Sequence, residues 1–116
     1  MKNYLKLISL LYGVGAVLHV LDLFDLRLQF SKMDFYGQLW IVFLTIFDSI
    51  AAVGLWIRKK AGEYSFLLVA FSQIFVYTFF KNNFGDQNFL IFFHLITLSI
   101  YLLLMAYEHI NPAEII

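Results

Sequence analysis

Four apolar runs, at about residues 4–24, 38–57, 64–80 and 88–107, occupy most of a chain of 116 residues. Each is close to the roughly 20 residues that a helix needs to cross about 30 Å of hydrocarbon. A soluble domain of this length keeps too much surface for its volume to hide four such runs. Hydrophobic residues make up 62% of the chain and charged residues 14%, against about 45–50% and about 25% in soluble globular chains. The mean hydropathy of +0.81 agrees. The expected fold is all-α: one transmembrane domain, residues 1–116, built as an integral membrane four-helix bundle. The third run is the shortest and is expected to lie less tilted or to thin the bilayer locally.

The connections between the runs are short, which favours antiparallel neighbours and an up-down-up-down order. Residues 29–37 form a polar link in which Asp34 is placed to cap the second helix. Arg58-Lys-Lys-Ala-Gly-Glu63 reads as a tight basic turn. The stretch from Asn82 to Asn88 is rich in turn formers, and Asn88 is expected to cap the fourth helix. Asn111-Pro112 should end that helix, because the residue before proline is pushed out of the helical region. Lysine and arginine set the orientation. Lys2, Lys6, Arg58, Lys59 and Lys60 share one side with both termini, and Arg27, Lys32 and Lys81 lie on the other. The positive-inside rule then places both termini in the cytoplasm and, in a bacterium, the first and third links in the periplasm. The expected location is the cytoplasmic (inner) membrane.

Composition also excludes some functions. The formal net charge is zero and the cations form no stripe, which argues against a nucleic-acid partner. With no cysteine there is no disulfide framework and no thiolate chemistry. No small-residue cleavage site follows the first run, so it is expected to be retained as a helix. Nucleophile-elbow, P-loop and dinucleotide-binding patterns are absent from the sequence. The fourteen phenylalanines suit lipid contact and interhelical packing. The partners this leaves are the lipid bilayer itself, further copies of the chain in an oligomer, or the subunits of a larger membrane complex.

Against this background the ionisable and amide groups inside the runs stand out, since polar residues at such depth usually face a bundle interior or a watery cavity. His19 and Asp22 are one helical turn apart on the first run, with Gly15 and Tyr12 on the same face. Asp48 lies near the middle of the second run, Gln73 near the middle of the third, and His94 about two turns into the fourth. Under the expected topology all of them fall in the middle or outer half of the membrane. Small and hydroxyl residues accompany them at helical spacing: Thr45, Asp48, Ser49 and Ala52; Ser72, Gln73 and Tyr77; His94, Thr97 and Tyr101. Transmembrane helices use such faces where they pack closely.

The bland explanation for each group is an interhelical hydrogen bond, for Asp48 to Gln73, Tyr77 or a histidine. Left charged at the centre, Asp48 would cost roughly 2.5–3.5 kcal/mol on insertion. Asp25 and Arg27 are expected in the headgroups, as a local pair of little worth. Co-location of the rest makes His19, Asp22, Asp48, Gln73 and His94 the candidate ligand-binding or proton-relay set, supported by Tyr12, Thr45, Tyr77, Thr97 and Tyr101. Three ligands fit such a set. A quinone or another amphipathic molecule would place its polar end on the histidines and carboxylates and its tail in lipid. Two histidines at matching depth, His19 and His94, could also hold a haem through its axial positions. The same pair with a carboxylate could hold a divalent metal, although the sequence has no tight ligand motif. A proton- or ion-conducting oligomer is a further possibility, but one chain shows no acidic ring. An independent enzyme is not the leading reading.

The first run, Leu7-Ile-Ser-Leu-Leu-Tyr-Gly-Val-Gly-Ala-Val-Leu-His-Val-Leu-Asp22, resembles the glycine-bearing opening of the DoxX-like small four-helix membrane proteins. The second, Phe47-Asp48-Ser-Ile-Ala-Ala-Val-Gly-Leu-Trp-Ile-Arg58, resembles their acidic residue followed by small residues and a basic turn. The likeness spans roughly residues 7–105, with aspartate in place of glutamate at position 48 and His19 and Asp22 where a lysine is common. It implies a four-helix bundle in the cytoplasmic membrane, in a group of which some members are linked to quinone-dependent sulfur oxidation or serve redox complexes as small subunits. It also implies that Asp48 corresponds to a family feature.

Overall fold

In the computed structural model, which describes residues 1–110, the chain forms helices joined by short turns. The elements are α1 (Lys2–Leu23), a 3₁₀ turn (Phe30–Lys32), α2 (Phe35–Trp56), α3 (Lys60–Phe79), a one-turn α4 (Lys81–Phe84) and α5 (Asn88–Ile110). The chain is all-helical, with four long helices. Hydropathy locates the apolar stretch of each, but the helices run on into polar residues, so α2 starts at Phe35 and α3 at Lys60, not at 38 and 64. Asp34 caps α2 as expected, its carboxylate accepting from Gly37 N–H at 2.8 Å. Asn88 does not cap α5. It is the first helical residue, and its N–H donates to the Asp86 carboxylate at 3.2 Å. The expected stop at Asn111-Pro112 lies outside the described residues.

Two helices end in the same way. After α1, Asp25 N–H donates to Asp22 C=O and Leu26 N–H to Leu21 C=O, with Asp25 left-handed at φ 59°. After α2, Arg58 N–H donates to Leu55 C=O and Lys59 N–H to Gly54 C=O, with Arg58 at φ 62°. These are Schellman endings, which usually place glycine at the left-handed position. Here an aspartate and an arginine stand there.

Consecutive long helices are neighbours: α1 packs along α2, α2 along α3, and α3 on α5. At the end that carries the Arg58 turn the packing is closest. A Cβ on Gly54 would stand 2.5 Å from the Gly62 Cα, so the α2 and α3 backbones meet there without side chains between them. Ile8, Leu44, Ala51, Leu55, Phe66, Val69 and Ala70 form the centre of the core. Tyr4 O–H donates to Thr97 C=O and the N-terminal ammonium lies 3.5 Å from Glu108, tying α1 to α5 at this same end.

Three of the long helices, α1, α2 and α5, are long and apolar enough to cross a membrane. Four such spans were expected, and α3 is the exception. It carries Lys60, Glu63, Ser65, Ser72 and Gln73, and it is the helix wedged between α2 and α5.

Candidate functional site

Towards the other end of the bundle a cleft of about 380 Å³ lies among α1, α2, α3 and α5. Its polar lining comprises Tyr12, His19, Arg27, Asp48, Gln73, Tyr77 and His94. Its apolar lining comes from Leu11, Val14 and Leu18 on α1 and from Phe89, Leu90 and Phe93 on α5. Four of the five leading candidates, His19, Asp48, Gln73 and His94, are therefore brought to one cavity, and two of the supporting tyrosines with them.

His19 is held between two carboxylates. Its Nδ1 lies 3.3 Å from Asp22 Oδ2 and its Nε2 lies 3.5 Å from Asp48 Oδ2. A neutral imidazole can donate to only one of them, and the imidazolium to both. Gly15 makes room for this approach, since a Cβ there would come within 3.0 Å of Asp48 Oδ2. Asp48 is buried. The side chain nearest its carboxylate is the histidine of α1, not Gln73 or Tyr77.

Asp22 does not line the cleft. It is fully buried, and Arg27 donates to its Oδ2 at 2.7 Å while Leu28 N–H donates to its Oδ1 at 3.1 Å. The expected Asp25–Arg27 pair is not formed. The left-handed turn at Asp25 folds the chain back, so Arg27 reaches Asp22, and Asp25 instead accepts from Ser31 N–H at 2.9 Å and Ser31 O–H at 2.7 Å. Those two donors hold the Asp25 carboxyl below its ordinary pKa. Arg27 is the cleft residue that sequence reasoning missed. The available signal was its position five residues after Asp22, beyond a helix end that turns back on itself.

On the other wall, His94 Nε2 contacts Gln73 Oε1, which fixes the ring and leaves Nδ1 over. Among the described residues, two buried side-chain polar atoms have no hydrogen-bond partner, and they are His94 Nδ1 and Tyr12 Oη. Both residues line the cleft, with their rings edge to face at 6.3 Å. Leaving such a group unpaired costs about 1–3 kcal/mol. Tyr77 accepts from Trp40 Nε1 at 3.0 Å, a bond that does not use its own O–H proton.

The remaining candidates fall elsewhere. Thr45 and Thr97 donate to carbonyls of their own helices, those of Ile41 and His94. Ser49, expected on the inner face of α2, is exposed and donates to Thr45 C=O. Ser72 donates to Val69 C=O of its own helix. Tyr101 packs edge-on against Phe66 in the core, not in the cleft. Hydroxyls at helical spacing satisfy themselves locally, so spacing alone could not separate them from the cleft residues. Among the described residues no three histidine, aspartate or glutamate side chains come together to hold a metal ion.

Fold and cleft together define a small all-helical protein in which His19, Asp48, Gln73 and His94, from four different helices, line one cavity. The chain belongs to DUF6163, a family of unknown function, whose model matches residues 2–111. No curated protein and no solved structure matches it.

Proposed function

We propose that the chain is an integral protein of the cytoplasmic membrane that binds a quinone-like amphipathic molecule in this cleft. In this reading the four long helices run up-down-up-down with both termini in the cytoplasm, and the cleft lies in the outer half. The distribution of side chains supports insertion. Ser9, Asp22, Asp48, Ser65, Gln73, His94 and Thr97 are buried, whereas Leu10, Val14, Val17, Val53, Phe75 and Leu103 point outward. A polar interior under an apolar exterior suits hydrocarbon surroundings.

The observation that carries the ligand reading is that the two residues with an unpartnered buried polar atom, Tyr12 at Oη and His94 at Nδ1, both line one cavity. A carbonyl or hydroxyl on a ligand head would satisfy both. The apolar mouth formed by Leu11, Val14, Leu18, Phe89 and Phe93 would take a ring and the start of a tail. His19, between Asp22 and Asp48, is placed to move a proton at its Nε2 towards or away from the cleft through Asp48. The DoxX-like resemblance, with its quinone-linked members, is in keeping with this reading.

The second reading is a purely structural subunit that stabilises a larger complex by offering small-residue helix faces to a partner. Those faces are used within the chain: Gly54 against Gly62, and Gly13 against Ala52. The ligand reading is the better supported.

The test uses Trp40, which touches the cleft residue Tyr77. Trp56→Phe leaves Trp40 as the only tryptophan. In that background a short-chain ubiquinone should quench fluorescence saturably. His94→Leu should weaken its binding about tenfold, the value of roughly one hydrogen bond. Quenching that rises linearly without saturation, and equally in both proteins, would contradict a site.

A further inference from the structure

The α1–α2 seam carries a second concavity, a groove of about 670 Å³. Leu10, Val14, Val17, Val53, Trp56 and Ile57 form its walls, each at least half exposed. Its floor is Gly13 and Ala52, where nothing larger than a methyl group stands. The polar side chain in its lining is Ser9, whose hydroxyl already donates to Ala52 C=O. From Ser9 to Leu18 the groove follows α1 for about 14 Å, at 1.5 Å per residue. An occupant must be apolar along that length.

One end of the groove is different. Trp56, at that end, has Lys6 Nζ 5.1 Å from its ring centroid; Ile57 closes the lining, and Arg58 and Lys59, which follow it, line an adjoining concavity with Glu63 and Glu108. Nearby cations are already neutralised: Lys60 lies 3.6 Å from Glu63, and the N-terminal ammonium 3.5 Å from Glu108. Lys6, Arg58 and Lys59 have no carboxylate partner among the described residues. Arg58 also holds a left-handed backbone, φ 62°, where glycine would be unstrained. A strained non-glycine residue is a reason to look for a function.

We propose that this groove and its basic end bind one anionic phospholipid of the cytoplasmic leaflet. An acyl chain lies over Gly13 and Ala52, and the phosphate meets Lys6 and Arg58. The site rests on the membrane reading above and takes a different occupant from the cleft, with Val14 and Leu18 lining both. It requires charge at one end and an apolar channel along the rest, and a lipid with an anionic head supplies both.

The experiment is native mass spectrometry of the delipidated protein in mild detergent, titrated with dioleoyl phosphatidylglycerol and, separately, dioleoyl phosphatidylcholine. The two lipids share their chains and differ in head charge. Wild type should retain one phosphatidylglycerol per chain with a preference of about tenfold over phosphatidylcholine, the scale set by two near-surface cations after partial screening. Lys6→Gln with Arg58→Gln should bring that ratio to about one. Val53→Trp, which fills the groove from its exposed wall, should lower retention of both lipids. Lys81→Gln, in α4 beyond the far end of α3, should leave the preference unchanged. Equal retention of the two lipids by wild type would overturn the proposal, as would a preference that survives the double substitution. Extraction of membranes with alkaline carbonate separates the two readings. Release of the chain would overturn the membrane assignment and the lipid site together, whereas a retained chain without lipid preference would overturn the lipid site alone.

Discussion

The two ends of the bundle are built on opposite principles. At the Arg58 end the backbones of α2 and α3 touch at Gly54 and Gly62, the core is Ile8, Ala51, Leu55 and Phe66, and α1 is tied to α5 by Tyr4 and the N-terminus. At the other end α1 and α5 stand either side of a cleft, and His19, Asp48, Gln73 and His94 line it. The helices close where residues are small and part where they are polar. One end supplies stability, and that allows the other to keep two buried polar atoms without intramolecular partners.

This contrast can be broken at the closed end first. Gly62→Val should cost about 3 kcal/mol or more, because the added atoms meet the backbone of Gly54 and Leu55 and not a side chain that can move. Unfolding in detergent, followed by helicity, would show it. A smaller effect is expected at the edge of the cleft. Arg27→Gln leaves the fully buried Asp22 without its cation, at a cost of about 1–2 kcal/mol because the arginine is itself partly in water. Adding Asp22→Asn should recover part of that loss in a double-mutant cycle. Gly15→Ala should change stability still less, within about 1 kcal/mol. It displaces the Asp48 carboxylate, 3.0 Å from the new Cβ, so quinone-probe binding should fall while unfolding barely moves.

The smallest effect belongs to the exposed loop. The Ser31 donors lower the Asp25 pKa in the folded chain. Their stabilisation is therefore complete above the ordinary carboxylate value and is lost as pH falls through the lowered one. The protection of the Ser31 amide, its exchange rate measured against that of an unstructured amide at the same pH, should fall over that acid range and hold steady near neutral pH. In Asp25→Asn the acid step should disappear.

How much of this was legible in the sequence depended on the range of the interaction. The helices, the Asp34 cap and the polar character of His19, Asp48, Gln73 and His94 follow from local periodicity and hydropathy, and the structure brings those four together. Arg27 was misplaced because its pairing depends on a left-handed turn at Asp25, a position where aspartate gives little warning. Thr45, Thr97 and Ser49 looked like cleft residues because a hydroxyl bonded to its own helix has the same spacing as one that faces a cavity. The third helix read as a span because its flanks were trimmed to the apolar part. Which histidine nitrogen would be left without a partner depends on the side-chain geometry of Gln73, and a sequence does not contain it.

The most direct measurement is the pair of effects of Tyr12→Phe on ligand-free stability and on quinone-probe affinity. If the Tyr12 hydroxyl is kept unpaired for a ligand, its removal relieves a buried unsatisfied group. The empty protein should then be more stable by about 1 kcal/mol, and the probe should bind several-fold more weakly. Lower stability with unchanged probe affinity would contradict the site, and would make Tyr12 a member of the core alone.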